Sequence, residues 1–446
     1  MFSRLFMQKS LDRKLAAIHA DPSGAKDFII ADAKDADMAF GIGAPGKSPE
    51  SHAGEARSRT LGEYRDQIRQ IVHQGLVDIM LMSASTNDVL TIQERLFADS
   101  HITPAARAND TSDVFVVRGG AYLQEPSRPF RTALLDHIQC GHVDCAPPER
   151  SLGADLGLYS MTFNNRLDED LVALETYRQF RVEAERKGFR HFLEVFDPNA
   201  GQGLEADKIG HFVNDSIART LAGVASAGRP IFLKVVYHGP QAMEELVAYD
   251  PHLIVGILGG GAGTTYDAFK LIAEAQKYGG RVALFGRKIN NAENQLAFVE
   301  FLRLIVDRVI SPEEAVRAYH GVLERLKIKP QRKLDDDLVL QTGVMSYGGG
   351  STVTIPAGMP TTNQKAATDH KAATAGRAAA AHECGCNGKP GAASKPAAES
   401  ADKCGCGCKD KPTETSTSAN GQPDFARMTQ AEKLAYNQAK RNRIFG

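Results

Sequence analysis

The sequence predicts a closed parallel (β/α)₈ barrel, the TIM-barrel architecture, followed by a long low-complexity tail. Three observations carry that prediction. From about residue 26 to 330, short β-branched runs alternate with amphipathic stretches; eight such runs can be counted; and the composition changes abruptly beyond them. Parallel neighbours need crossover connections, which the amphipathic stretches supply. An open doubly wound sheet is the alternative, because strand order cannot be read from one sequence.

The candidate strands are residues 27–33, 77–83, 114–118, 157–163, 191–196, 231–238, 253–258 and 282–285. Candidate helices between them are 61–74, 168–187, 207–227, 265–278 and 292–309, with an N-terminal helical extension over 1–25. The stretch 119–156 between the third and fourth runs contains Pro126, Pro129, Pro147 and Pro148. It reads as an insertion or lid with a helix near 131–138. A last helix, 311–326, opens with Ser311, Pro312, Glu313 and Glu314. That is an N-cap serine, a proline at the first helical position, and acids at the positive end of the dipole. Its apolar positions Ala315, Ala318, Val322 and Leu326 pack it back on the barrel, which ends near 326–330.

The 446 residues carry a formal net charge of −1 and a pI near 6.9, so no nucleic-acid or membrane-surface footprint is expected. No apolar run approaches the length of a membrane span. The first ten residues lack the apolar core and small-residue cleavage site of a secretory signal, and a cytoplasmic location is the expectation.

The most telling residue is Lys234, an amine in the middle of the apolar run 231–238. Alternation puts Phe232, Lys234 and Val236 on one face and Leu233, Val235 and Tyr237 on the other. An ammonium among such neighbours is poorly solvated, which favours the neutral amine, a nucleophile toward carbonyls. The competing reading is a lysine that snorkels or pairs with a buried carboxylate.

Glycine loops follow the last two candidate strands. Gly259, Gly260 and Gly261 lead into a helix at Thr265, and Gly286, Arg287 and Lys288 lead into another. Glycines let backbone N–H groups approach an anion, and a helix N-terminus adds positive potential. Loops after strands seven and eight of a barrel commonly form a phosphate site, although tight turns also use glycine.

Lys234, Tyr237 and Gly239, then Gly259, Gly260 and Asp267, then Gly286 and Arg287, resemble the class I fructose-bisphosphate aldolases of archaeal type. These belong to the lysine-dependent aldolase superfamily that includes deoxyribose-phosphate aldolase. The resemblance spans about 192–305. It implies a TIM barrel, a ring-like homo-oligomer, and a strand-six lysine, here Lys234, that forms a Schiff base with a ketose phosphate. It also implies phosphate binding by Gly260, Gly261, Gly286 and Arg287, with Gly259 in the same loop. Residues 29–32 resemble a first strand ending in a catalytic aspartate, here Asp32; the family continues with His-Gly where this chain has Ala33 and Lys34. The fifth-strand match is Leu193–Phe196, with Glu194 and Phe196 on one face. The family's proton-donating tyrosine has no clean counterpart, and Tyr159 on the fourth strand is the stand-in.

The expected chemistry needs no cofactor beyond the lysine imine. Lys234 attacks the ketone of a phosphorylated ketose, water leaves, and Asp32 or Tyr159 takes the proton from the hydroxyl beside the breaking C–C bond. The bland readings are Asp32 as a buried partner of Lys34 or Lys234, and Tyr159 as a core aromatic. Lys34, sharing a face with Asp32, is a competing nucleophile. The expected activity is therefore that of an aldehyde-lyase of carbohydrate metabolism, in the manner of glycolysis. The alternatives are a transaldol-type synthase of the same superfamily, or a catalytically silent barrel whose tail binds a metal or a partner.

His238 reads as a loop histidine. The segment 140–145, with Cys140, His142 and Cys145, has zinc-ligand residue types but not the spacing of a usual zinc pair, and reads as surface thiols. Residues 338–360 read as a strap or strand pair, and 361–422 as a disordered linker poor in large apolar groups. Within it Cys384, Cys386, Cys404, Cys406 and Cys408 cluster on glycine hinges, a candidate site for a soft metal ion such as Cu(I) or Zn(II). Thr429 and Glu432 form a capping box for an amphipathic helix within 423–446. Linker and helix together resemble the encapsulation peptides of bacterial microcompartment cargo, which implies docking to a shell or partner; packing on its own barrel is the other reading.

Overall fold

Eight parallel strands form the barrel: β1 (Ile29–Lys34), β2 (Ile79–Met82), β3 (Thr103–Arg107), β4 (Leu156–Thr162), β5 (Arg190–Phe196), β6 (Leu233–Val235), β7 (Val255–Gly259) and β8 (Val282–Phe285). Each pairs with the next, and β8 returns to β1, so the sheet closes without an edge. The computed structural model describes residues 8–46, 58–200, 203–260 and 263–342. Gly261, the five tail cysteines, the strap beyond residue 342, the linker 361–422 and the terminal segment 423–446 lie outside the described residues. Among the described residues, no helix is long and apolar enough to cross a membrane.

Two apolar layers follow from strand alternation. Ile29, Ala31, Ile79, Leu81, Ala105, Leu158, Phe192, Phe232, Ile254, Val282 and Leu284 meet one another inside the barrel. Residues of the opposite parity, such as Ile30, Met80, Tyr159, Leu193, Val255 and Phe285, pack against the surrounding helices. Helix α1 (Ser10–Ala20) closes the N-terminal end of the barrel, where Leu11, Leu15 and Ile18 join the interior cluster. Its Lys14 is held by Asp78 at 2.8 Å, and Arg303 reaches the same carboxylate at 2.9 Å. Around the barrel run α2 (Leu61–Gln74), α3 (Leu167–Lys187), α4 (Ile209–Leu221), α5 (Pro240–Tyr249), α6 (Thr265–Lys277), α7 (Gln295–Val306) and α8 (Pro312–Arg325). Ser311 caps α8 as its sequence suggests, in a capping box with Glu314 and with Pro312 in the first turn.

The third strand departs from the sequence reading. It is Thr103–Arg107, not 114–118. Periodicity missed it because Pro104, Ala105 and Ala106 give no β-branched run, and a central strand rarely admits proline. The proline is tolerated by position. Thr103 N–H bonds to Asp78 on the β2 side and Ala108 N–H to Leu158 on the β4 side, so alternation turns the Pro104 nitrogen toward β4, before its ladder begins at Leu156. The more β-like residues Val114 and Val116 lie in the insertion, Val116 bonded to the Ala39 carbonyl and Val114 packed over the barrel mouth.

The insertion carries a two-stranded ribbon, Asp110–Thr111 with Pro129–Phe130, and a helix at Leu135–Cys140. Its cysteines are not surface thiols. Cys140 and Cys145 are both buried and are joined in a disulfide. Helix α5 also escaped the sequence reading, although Gly239 followed by Pro240 at its first turn is a start signal.

The interior plug gives a test of the N-terminal helix. Leu11 is fully buried, so Leu11→Ala should cost about 2–5 kcal/mol of unfolding free energy. Urea titration checks this; a loss below about 0.5 kcal/mol would mean that α1 does not close the barrel.

Candidate active site

Polar side chains gather one layer above the Phe192–Phe232 stack, whose rings lie 4.6 Å apart. Lys234 follows Phe232 by two residues on β6 and therefore also points inward. Its Nζ lies 2.5 Å from Glu194 Oε1, and both side chains are buried. The register pairs Lys234 with Glu194 on one side and with Gly256 on the other. Ser160, opposite Glu194 on β4, donates its hydroxyl to Glu194 Oε2 at 2.6 Å. Ser160 is held in turn by Asn109, whose amide bonds its backbone N–H at 2.7 Å and its carbonyl at 2.8 Å. Above the amine, Phe196, Val236 and Leu258 meet Val114 of the insertion, forming an apolar cover.

A second charged group lies beside the first. Arg107 ends β3 with its guanidinium buried, Nε donating to Asp110 at 2.6 Å and Nη1 to Asp35 at 2.8 Å. Burial alone would lower this guanidinium, but Asp110, Asp35 and the more distant Glu194 overcome it and push its pKa up. Burial also raises the Asp110 carboxyl, against the pull of Arg107. Arg107 Nη2 is buried and has no hydrogen-bond partner among the described residues. Arg287, at the mouth after β8, lies over the Phe40 ring at 5.3 Å. Burial lowers its pKa while Glu194 pulls it back up, so Arg287 belongs to the same electrostatic neighbourhood as the Lys234 pair.

Neither Asp32 nor Tyr159 reaches this group, and Lys34 does not either. Asp32 and Lys34 share the parity of Ile30, which faces the helices. Lys34 Nζ lies 3.2 Å from Asp32 Oδ2 and donates to Asn290 and to Gln295 on α7, all inside the outer layer. Burial raises Asp32 to about 6, only partly offset by Lys34, and burial lowers Lys34. Tyr159 packs on Tyr177 and Phe180 of α3, with ring centroids 5.0 and 4.5 Å away. Burial pushes its phenol well above the usual range, which suits a core aromatic and not a proton shuttle. The inward residues that sequence reasoning passed over are Ser160, Arg107, Asp35 and Asp110. The inward turn of Ser160 and Thr162 was the available signal on β4, while the misplaced third strand hid Arg107.

The two glycine loops come together. Lys288 Nζ donates to the carbonyls of Gly263 and Thr264 at 2.6 and 2.9 Å, tying the loop after β8 to the loop after β7. Packing by itself demands two of the glycines. A Cβ on Gly259 would lie 2.2 Å from the Phe285 ring, and one on Gly286 would lie 2.5 Å from the Ala33 carbonyl. At the N-terminus of α6 the first described N–H groups are taken up by carboxylates. Thr264 donates both its N–H and its hydroxyl to Asp267, and the Thr265 N–H goes to Asp337. Residues 341–342 bond to Asp267 as well.

No family model matches the chain. None of the curated proteins matches it. Solved structures do. A Schiff base-forming fructose-1,6-bisphosphate aldolase is 13% identical with a TM-score of 0.45, over 66% of this chain and 99% of that one. The fructose-bisphosphate aldolase from Slackia heliotrinireducens DSM 20476 is 12% identical with a TM-score of 0.48, over 70% and 91%. The orotidine 5'-phosphate decarboxylase from Pyrococcus horikoshii OT3 is 13% identical with a TM-score of 0.34, over 55% and 94%. The barrel itself rests on the closed strand order described above.

The two lysine–carboxylate pairs should separate by experiment. Asp32→Asn leaves a buried ammonium without its carboxylate, and should lower stability by about 3–5 kcal/mol while sparing any chemistry at Lys234. Chemical denaturation and a turnover assay on the folded variant check this. A stable but inactive Asp32→Asn protein would restore Asp32 to the reacting group.

Proposed function

We propose that the protein is a class I aldolase that makes or breaks a C–C bond of a phosphorylated ketose through a Schiff base on Lys234. The observation that carries the reading is the inward Lys234 amine, buried and held by Glu194 with Arg287 nearby. Glu194 takes the proton from the Lys234 ammonium, and the neutral amine adds to the substrate ketone. The carbinolamine loses its hydroxyl as water when Glu194 returns that proton. The resulting iminium draws electrons from the bond two atoms away as a base removes the proton of the adjacent hydroxyl. Cleavage leaves an aldehyde and an enamine, which is protonated and hydrolysed to release the second product. Glu194, oriented by Ser160, takes the role of base expected from the sequence at Asp32 or Tyr159.

The phosphate is assigned to Arg287 and to the backbone of Gly259, Gly260, Gly261 and Gly286, and not to the capped end of α6. Arg107 Nη2 is the buried donor left for a substrate oxygen. Fixing both ends of the substrate holds its carbonyl against the amine, and proximity supplies part of the rate.

Cleavage of fructose 1-phosphate and fructose 1,6-bisphosphate, followed by trapping the released aldehyde, tests the reading. Lys234→Met should abolish turnover. Glu194→Gln should lower kcat by about 10²–10⁴-fold in folded protein. Arg287→Ala should act mainly by raising KM. Equal turnover by wild type and folded Lys234→Met would sink the proposal, as would no cleavage of any phosphorylated ketose by the wild type.

A further inference from the structure

A second cluster of reactive side chains lies in the insertion, outside the Lys234 site. Cys140 ends its helix, Glu149 lies in the turn Pro147–Ser151, and the chain between them doubles back. One ligand atom from each of Cys140, His142 and Glu149 lies within 4.8 Å of the others. Cys145 is outside that trio but is bonded to Cys140, so its sulfur adjoins the group and is freed beside it when the disulfide opens. This is a set of four donors from a stretch of ten residues, and it could not be read from cysteine spacing.

The histidine has one nitrogen committed to the backbone and the other turned toward Glu149. His142 Nδ1 lies 2.8 Å from the Val143 carbonyl, which can only accept, so Nδ1 carries a proton. The other nitrogen, Nε2, faces Glu149 Oε1 at 3.5 Å. A neutral imidazole lone pair facing a carboxylate is repulsive unless a proton or a metal ion lies between them. Histidines that ligate metals usually donate their second nitrogen to a carbonyl or carboxylate in this way. The Glu149 carboxylate is itself steadied by the Ala146 N–H at 2.9 Å. Two thiolates, an imidazole and a carboxylate form a borderline-soft tetrahedral set, which suits Zn(II). Donor atoms around such an ion stand about 3.3–3.8 Å apart, so opening the disulfide must separate the two sulfurs for both to bind.

We propose that the reduced cluster is a zinc site formed by Cys140, His142, Cys145 and Glu149, and that the Cys140–Cys145 disulfide is its oxidised, metal-free form. Two equivalents of a thiol reductant open the disulfide, becoming one disulfide themselves and leaving two protein thiols. Zn(II) then displaces the two thiol protons. Either state fastens the end of the helix to the turn that follows it, by a covalent bond in one case and by coordination in the other.

The test uses the full chain with Cys384, Cys386, Cys404, Cys406 and Cys408 all changed to Ser, so that Cys140 and Cys145 are the remaining thiols. The protein is reduced with a phosphine, loaded with Zn(II), desalted and analysed by elemental mass spectrometry. One zinc per chain is expected after reduction, and none after a thiol oxidant. His142→Ala and Glu149→Ala alter exposed side chains and should each weaken zinc about tenfold or more against a chromophoric chelator. Reduced protein that retains no zinc would overturn the proposal. Equal retention by a Cys140→Ser/Cys145→Ser double variant, or unchanged affinity in His142→Ala, would do the same.

Discussion

The ion pair between Lys234 and Glu194 sets the terms for everything around it. An ammonium taken into a barrel interior costs several kcal/mol unless a carboxylate compensates it, and the carboxylate needs its own remaining acceptors filled. Glu194 meets that demand at 2.5 Å from the amine, and the Ser160 hydroxyl occupies its other oxygen. Ser160 is fixed by Asn109, and Asn109 follows the β3 strand that supplies Arg107. The cover of Val114, Phe196, Val236 and Leu258 keeps water from dissolving the pair. One buried charge thus accounts for the polar residues on three neighbouring strands and for the apolar side of the insertion.

The barrel contains a second buried lysine–carboxylate pair, and the contrast is instructive. Lys34 and Asp32 are completely buried, yet they lie in the layer between sheet and helices, where Asn290 and Gln295 take up the amine's hydrogen bonds. Among the described residues both side chains of that pair are sealed from solvent. The Lys234 pair lies beneath a cover built from a loop, next to two glycine turns joined by Lys288. Burial alone does not distinguish the two lysines; the face of the strand does.

Much of this was legible in the sequence, and the rest failed for physical reasons. Lys234 stands out because a single amine interrupts an apolar strand, and its alternation with Phe232 and Val236 is the one found. The parity of β1 could not be read, because a strand buried on both faces shows no polar face and residues 29–33 are apolar on either side of Asp32. On β4 the large aromatic Tyr159 drew the reading, whereas the small hydroxyls of Ser160 and Thr162 mark the inward face. The strand Thr103–Arg107 is hidden by its proline and alanines, and the valines at 114 and 116 mimic a strand because a loop covering an apolar mouth needs the same residues. The approach of Glu149 to Cys140 depends on how the insertion folds back, which no spacing rule conveys.

Borohydride reduction in the presence of dihydroxyacetone phosphate, followed by peptide mass spectrometry, addresses the central claim most directly. A reduced three-carbon adduct on Lys234 is the predicted result, since this amine faces the barrel interior with a proton acceptor beside it. An adduct on Lys34 instead, or folded protein that forms no adduct on any lysine, would contradict the assignment of Lys234 as the reacting amine.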